Sequence, residues 1–372
     1  MPIIGSDPIP IVLVEGEPRE RGRQHGELAR DLVALSVERY MERFAHFARL
    51  DPPGVRDLAA AFAPIIRDYD PDLLEEIEGV AEGAGFARED LLAVNCRSEV
   101  MFGKAVPECT SFGLNAEVTA NGHTYVGQNW DWAPDIKETL ILLVVKQEPK
   151  PTIVLLDEAG MIGRMGLNDA GIGLATNTLI SEQREIGVPY NMLLRGILNQ
   201  RGMAQAIAAL VRPKRAISAN YLIGHGDGQT IDIEASPIHV DTLVPRDGII
   251  THGNHFEGPR LQGRDLSLER FPDSAYRGCR LRDRLAKHSG SLTEADVQEA
   301  LRDSFGHPDA ICRAADPAQG RFDQLETVAS IVIDATERRF WLARGAPSEN
   351  AYHEFLLADL AIGKVPTPVE AG

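Results

Sequence analysis

Apolar positions in the first hundred residues recur at helical spacing. After a short strand expected over 10–15, Leu28, Leu32, Leu35, Val37, Tyr40 and Phe44 stay close to a 3.6-residue repeat across 18–50. The same texture predicts further helical zones over 55–69, 70–82 and 88–102, and together these zones suggest a helical layer. It stops at 103–107, where a Gly, a Lys and a Pro precede Glu108 and Cys109; a loop is expected there.

From Cys109 onward the pattern changes to short apolar runs separated by Gly, Asn and Asp. Strands are predicted over 111–118, 124–128, 140–145, 152–156 and 172–177, and the residues Asn168, Asp169 and Gly171 carry hairpin-turn chemistry. A helix over 190–210 follows, then strands over 219–224, 230–234 and 249–251. Helices over 275–287 and 293–304 lead to a closing hairpin, 327–334 with 339–344, and the acidic, Pro-containing tail after Lys364 reads as loose. Many hairpins flanked by helical zones, with no internal repeat and no Pro, Gly or Ser linker, predict an α+β fold: a four-layer αββα sandwich in one domain over 1–372.

Composition narrows the function. With 372 residues, 44% hydrophobic and 25% charged, the chain buries a sizeable core, and a net charge of -17 argues against a nucleic-acid partner, which is bound through clustered Lys and Arg. No run approaches the roughly 20 apolar residues that span a bilayer, and the apolar run after Ile9 is closed by Glu15 and Glu17, so no membrane partner is expected and the cytoplasm is the expected compartment. Cys96, Cys109, Cys279 and Cys312 form no CxxC pair, which leaves neither the usual zinc spacing nor a disulfide framework.

Four groups of residues carry chemistry. Cys109 opens a strand after the break, beside Thr110 and Ser111, and is either a nucleophile or a buried core thiol. Asp131, in Gln128-Asn129-Trp130-Asp131-Trp132, either holds an α-amino group or an Arg, or caps local N–H groups at a strand end. Its distance of 22 residues from Cys109, 131 minus 109, suits a hairpin that sets the two side by side. In Thr251-His252-Gly253-Asn254-His255, the histidines are poorly spaced for a metal, while Asn254 can offer its NH2 to an oxyanion; a plain polar loop is the alternative. The fourth group is His307, Asp309 to Arg313, and Arg277 and Arg280 upstream, where an arginine near a nucleophile can hold a carboxylate or lower a thiol pKa, though most arginines are simply solvated. Met161 and Met165, around Arg164, read as core or pocket lining.

In this order the motifs resemble the acyl-coenzyme A:6-aminopenicillanic acid acyltransferase family, cysteine enzymes among the N-terminal nucleophile hydrolases. The resemblance runs from Gly16 to Gly22 and Gln24-His25-Gly26 through Asn95 to Glu99, Glu108-Cys109-Thr110 and Gly127 to Trp132. It continues with Glu158 to Gly163, Gly166 to Asn168, Ala170-Gly171, Glu234 to Pro237, Asn254-His255 and Ile311 to Arg313. It implies an αββα fold and an inactive precursor cut between Glu108 and Cys109, giving fragments 1–108 and 109–372 that stay associated. Cys109 is then the nucleophile, Asp131 the acid holding its α-amino group and Asn254 the oxyanion donor, with Asn177, Ser236 and Arg164 as candidate substrate contacts. No cofactor or metal is called for, and the partner is a small amide or acyl substrate, with an acyl-CoA as a candidate donor.

Two departures stand out. Glu108 replaces the Gly of the reference acyltransferase, and its active-site Ser-Arg pair corresponds to a place near Asp323 and Gln324, where Arg321 is the nearest arginine. Two rivals stay open: an unprocessed papain-like enzyme with His252 or His255 as base, and a binding protein with an idle cysteine.

Overall fold

The computed structural model describes residues 9–101, 108–181 and 185–364. The loop expected at 103–107 and the tail beyond Lys364 lie outside the described residues. Fourteen strands among them form two sheets. The eight-stranded sheet runs in the order β1 (Ile11–Glu15), β4 (Leu140–Lys146), β5 (Ile153–Glu158), β6 (Gly166–Asn168), β7 (Ile172–Thr178), β8 (Ala219–His225), β9 (Gln229–Ala235) and β10 (Val240–Leu243). The six-stranded sheet runs β11 (Ile249–His252), β2 (Glu108–Leu114), β3 (Tyr125–Trp132), β12 (Glu326–Asp334), β13 (Arg339–Arg344) and β14 (His353–Leu356).

Seven helices precede β2: α1 (Pro18–Leu28), α2 (Arg30–Arg43), α3 (Pro52–Ala60), α4 (Ala63–Tyr69), α5 (Pro71–Ala84), α6 (Arg88–Asn95) and α7 (Arg97–Val100). Helices α8 (Tyr190–Leu198) and α9 (Met203–Val211) follow β7, α10 (Ser267–Arg270), α11 (Ser274–Ala286) and α12 (Glu294–Leu301) separate β11 from β12, and α13 (Leu357–Ala361) follows β14. Strands β2 and β3 face β7 and β8 across the sandwich, α8 and α9 cover β7 and β8, and α11 and α12 cover β2 and β12. This is the expected four-layer αββα sandwich. Strand β4 is buried from Leu140 to Val145, which is why it reads as an unbroken apolar run.

Several expected helices are split. The zone 18–50 becomes α1 and α2, separated at Ala29, and ends in a π-type turn, Phe44–Ala48, closed by Arg49 in the left-handed region. The zone 190–210 divides at 199–202 into α8 and α9. Two caps follow their sequence signals: Asp70 accepts the Asp72 N–H ahead of α5, and Thr293 with Asp296 forms a capping box for α12.

The motifs quoted from the first third turn out to serve packing. A Cβ on Gly22 or Gly26 of α1 would lie 2.0 Å from the Glu76 carbonyl or 2.3 Å from the Val80 carbonyl of α5, so glycine is what lets the two helices touch backbone to backbone. His25 Nε2 accepts the Gly160 N–H at 3.0 Å, and burial pushes its pKa down to about 4, which keeps the ring neutral for that role. Gly160 itself, at φ +94, makes the turn that leads from β5 to Arg164.

Candidate active site

Register alone assembles the centre of the site. In the β2–β3 pair, Glu108 lies opposite Asp131 and Cys109 opposite Trp130. On the other side of β2, His252 of β11 pairs with Ser111, and two residues further along, where β11 has ended, Asn254 reaches Cys109. Strand β12 brings Thr327 opposite Asp131. Three neighbouring strands thus align Glu108, Asp131 and Thr327 in one row, with Cys109 the next residue of β2 and Asn254, just beyond β11, on its main chain, and the hairpin expected from the spacing of Cys109 and Asp131 is present.

Side chains alternate along a strand, so adjacent residues of β2 serve opposite faces. Cys109 and Trp130 look inward between the sheets. There Arg164 stacks on the Trp130 ring at 3.9 Å, and Asn177 accepts the Ser111 hydroxyl at 2.6 Å. Arg164 is fully buried, and its three nitrogens have no hydrogen-bond partner among the described residues. Glu108 and Asp131 look outward, toward α11 and the segment that carries Arg313.

The main chain of Cys109 is tied at both ends. Its N–H donates to Asn254 Oδ1 at 2.8 Å, and its carbonyl accepts from Arg277 Nη1 at 2.8 Å and Asn177 Nδ2 at 3.1 Å. Asn254 in turn donates through Nδ2 to the Thr178 carbonyl at 2.9 Å and accepts from Arg277 Nη2 at 3.0 Å. In the intact chain, then, the Asn254 oxygen faces the nitrogen that scission would turn into an amine, and one hydrogen of its NH2 is committed to Thr178.

The outward face is a cluster of carboxylates around two arginines. Glu108 Oε2 accepts from Arg277 Nη2 at 2.9 Å and Arg313 Nη2 at 2.7 Å, and Asp273 Oδ2 accepts from Arg277 Nε at 2.7 Å and Arg313 Nη2 at 2.6 Å. Arg313 Nη1 donates to Asp309 at 2.6 Å. Asp131 Oδ1 accepts the Thr327 hydroxyl at 2.6 Å, while its Oδ2 is buried with no hydrogen-bond partner among the described residues and lies 3.9 Å from Arg313 Nε. A cleft of about 430 Å³ opens on this face, lined by Glu108, Arg313 and Asp273 together with Phe47, Phe271 and Phe322.

Burial dominates the electrostatics. It pushes the Cys109 thiol up to about 12, with the Asp131 charge adding to the rise and Arg164 and Arg277 opposing it. At neutral pH the thiol is therefore protonated and needs a base. Burial also lifts Glu108 to about 8 and Asp131 to about 6, in both cases against the pull of Arg313 and Arg277. Burial by itself would lower Arg313, but Glu108, Asp131 and Asp273 reverse that and hold it above its ordinary value.

His252 is already committed elsewhere. Its Nε2 pairs with Glu234 Oε1 at 2.8 Å, and although burial alone would lower it, Asp232 and Glu234 lift it to about 10. A ring held as a cation cannot take the thiol proton, which weighs against the papain-like rival. His255 sits on Ser274 Oγ at 2.8 Å. Ser236 lies at the turn after β9, where its hydroxyl accepts the His239 N–H at 3.1 Å.

Arg321 is at the surface, paired with Glu42 and Asp135. The arginine that reaches Asp131 is Arg313. Its N–H donates to Thr327 Oγ1 and its carbonyl accepts the Thr327 N–H, so the chain between 313 and 327 leaves the site and returns to it. That excursion carries Arg321 to the surface and leaves Arg313 beside Asp131. Arg277 and Arg313 were visible in the sequence only as members of an arginine-rich group, and nothing local marked them as buried.

The chain is thus a four-layer αββα sandwich with Cys109 the second residue of a central strand. A family model for acyl-coenzyme A:6-aminopenicillanic acid acyl-transferase matches residues 118–349, and the chain belongs to that family. It is 29% identical over 345 residues, 91% of this chain and 93% of the relative, to the 40 kDa form of acyl-coenzyme A:6-aminopenicillanic-acid-acyltransferase of Emericella nidulans. Among solved structures it is similar to a conjugated bile acid hydrolase variant from Clostridium perfringens, with a TM-score of 0.48 and 13% identity over 68% of this chain and 93% of that one. It is also similar to penicillin V acylase from Agrobacterium tumefaciens, with a TM-score of 0.43 and 15% identity over 63% and 83%. Among the described residues no group of His, Cys, Asp and Glu could hold a metal ion, and no helix is long and apolar enough to cross a membrane.

Proposed function

We propose that this chain is a self-processing cysteine amide hydrolase or acyltransferase acting on a small N-acyl compound. Processing begins when Cys109 Sγ adds to the Glu108 carbonyl carbon. The Glu108–Cys109 C–N bond breaks, the nitrogen takes a proton, and a Glu108 thioester remains on the sulfur. Water then releases the Glu108 carboxylate and leaves Cys109 with a thiol and a free α-amino group. In turnover that amine, with an ordinary pKa of about 7.7 to 8.0, takes the thiol proton as Sγ attacks the substrate carbonyl, and the proton passes to the leaving amine. The new thioester goes to water or to an acceptor amine; an acyl-CoA is the alternative donor for the same thioester.

The observation that carries this reading is the setting of the Cys109 nitrogen. It already has an acceptor in Asn254 Oδ1, and the unpartnered Oδ2 of Asp131 is one residue away across the hairpin. An ammonium needs several acceptors, whereas a peptide N–H needs one. The thiol, lifted by burial, calls for a base that scission would supply. Asn177 and Arg277 line the Cys109 carbonyl, and Arg164 faces the inner side as a substrate contact. Association of the fragments is supported by Glu76 of the first, which accepts from Arg195 of the second at 3.0 Å in a buried pair.

Intact mass and N-terminal sequencing of the purified protein test the reading. Two fragments, 1–108 and 109–372, are expected, the second beginning at Cys109. An active single chain of 40.6 kDa would overturn it. Asn254→Ala takes the side-chain acceptor from the Cys109 nitrogen and one acceptor from Arg277 Nη2, and removes an oxyanion donor, so kcat should fall about 100-fold or more with KM little changed. Unchanged kcat would remove Asn254 from the site.

A further inference from the structure

We infer that the processed site prefers acyl groups ending in a carboxylate at the length of glutaryl, seated where the Glu108 side chain now lies against Arg277 and Arg313. The inference rests on the processing reading above and goes beyond it by naming the acyl group.

Under that reading Glu108 is the first acyl group the nucleophile handles. Its thioester on Cys109 Sγ and the thioester of every later turnover differ only in what extends from the carbonyl carbon. One sulfur and one set of donors therefore start both acyl chains from the same point. Beyond that carbon, Glu108 has three further carbons and then a carboxyl group. Glutaryl has the same skeleton without the amino substituent.

The end of that chain has a built receptor. Glu108 is 3% exposed, and its Oε2 is held at 2.9 Å by Arg277 Nη2 and at 2.7 Å by Arg313 Nη2. Arg277 is fully buried and Arg313 is 6% exposed, so neither can turn to water for a replacement partner. Asp273 keeps one contact on each arginine, and Asp309 keeps Arg313 Nη1. When Glu108 withdraws, Arg277 Nη2 retains only Asn254 Oδ1, and Arg313 Nη2 retains only Asp273.

The charge count changes in the same direction. Before scission Glu108, Asp131, Asp273 and Asp309 face Arg277 and Arg313, four carboxyl groups to two guanidinium groups. Withdrawal of Glu108 and gain of the Cys109 ammonium leave three carboxylates to three cations, so the site loses its surplus of carboxyl groups and can accept an incoming anion. The phenylalanine-lined cleft of about 430 Å³ on the same face gives such an anion a way in.

The test uses the processed protein, its two fragments confirmed by mass, with three p-nitroanilides: N-glutaryl, N-glutaramyl (the neutral amide of equal size) and N-pentanoyl. Two charged hydrogen bonds should favour glutaryl over glutaramyl by about tenfold or more in kcat/KM. Glutarate should also raise the thermal midpoint where pentanoate at the same concentration does not. Two fragments with equal or lower kcat/KM for glutaryl would overturn the acyl assignment and leave processing standing. If no anilide is turned over, absence of the glutarate shift overturns it. A single uncut chain would overturn the processing reading and this inference with it.

Discussion

Cys109→Ala should give a soluble chain that stays whole and turns over no acyl substrate. The fold has little reason to fail, because β2 holds its place through main-chain contacts that alanine keeps: the N–H to Asn254, and the carbonyl to Arg277 and Asn177. What disappears is the atom that carries the acyl group. A drop on the order of a millionfold in kcat is the size expected when a hydrolase loses its covalent nucleophile. Both activities should vanish together, since one sulfur serves scission and turnover. Intact mass showing two fragments from this variant would exclude Cys109 as the processing nucleophile, and retained turnover would exclude it from the reaction.

Asp131→Asn should cut turnover by about 100-fold or more and change the pH profile. The substitution keeps the shape and the acceptor for Thr327, but it replaces a free carboxylate oxygen beside the future ammonium. Burial lifts Asp131 to about 6, against Arg313 and Arg277. The amine is a base only when unprotonated, so wild-type kcat/KM should fall as pH drops through the amine's pKa, and fall further as Asp131 is protonated at about 6 or somewhat lower, because the ammonium pulls Asp131 down after scission. The variant has no carboxyl group to protonate and should lack that second step. Its amine, without the neighbouring anion, should also lose its proton at lower pH. The protein should still cleave, slowly enough to follow by mass over hours. Full turnover with the wild-type pH profile would make Asp131 no more than a strand-end cap.

Local pattern carried the reading as far as the β2–β3 hairpin. The switch from helical spacing to short apolar runs at Cys109, and the interval between Cys109 and Asp131, are properties of neighbouring residues, and the pairing of Glu108 with Asp131 and Cys109 with Trp130 bears them out. The closing hairpin was legible for the same reason, within a residue of β12 and β13. Helix breaks at Ala29 and at 199–202 were not, because the apolar repeat continues across them and tertiary packing decides where the chain turns. The short strands β10 and β14 have only half-buried patterns and gave little apolar signal.

The arginines mark the boundary most clearly. From the sequence, Arg277 and Arg313 belonged to a group whose arginines either serve a nucleophile or are simply solvated, and Arg321 lay nearest the place of the family's Ser-Arg pair. In the fold Arg277 and Arg313 are buried on Glu108 and Asp273, and Arg321 is exposed on Glu42. The sequence by itself determined that a hairpin sets Cys109 beside Asp131, and alternation along a strand puts Cys109 and Glu108 on opposite faces whatever surrounds them. Only the tertiary structure decided the charge state of those groups. Desolvation depends on every layer packed over them, and the cations that answer it come from distant parts of the chain, as the Arg277–Glu108 separation of 169 shows.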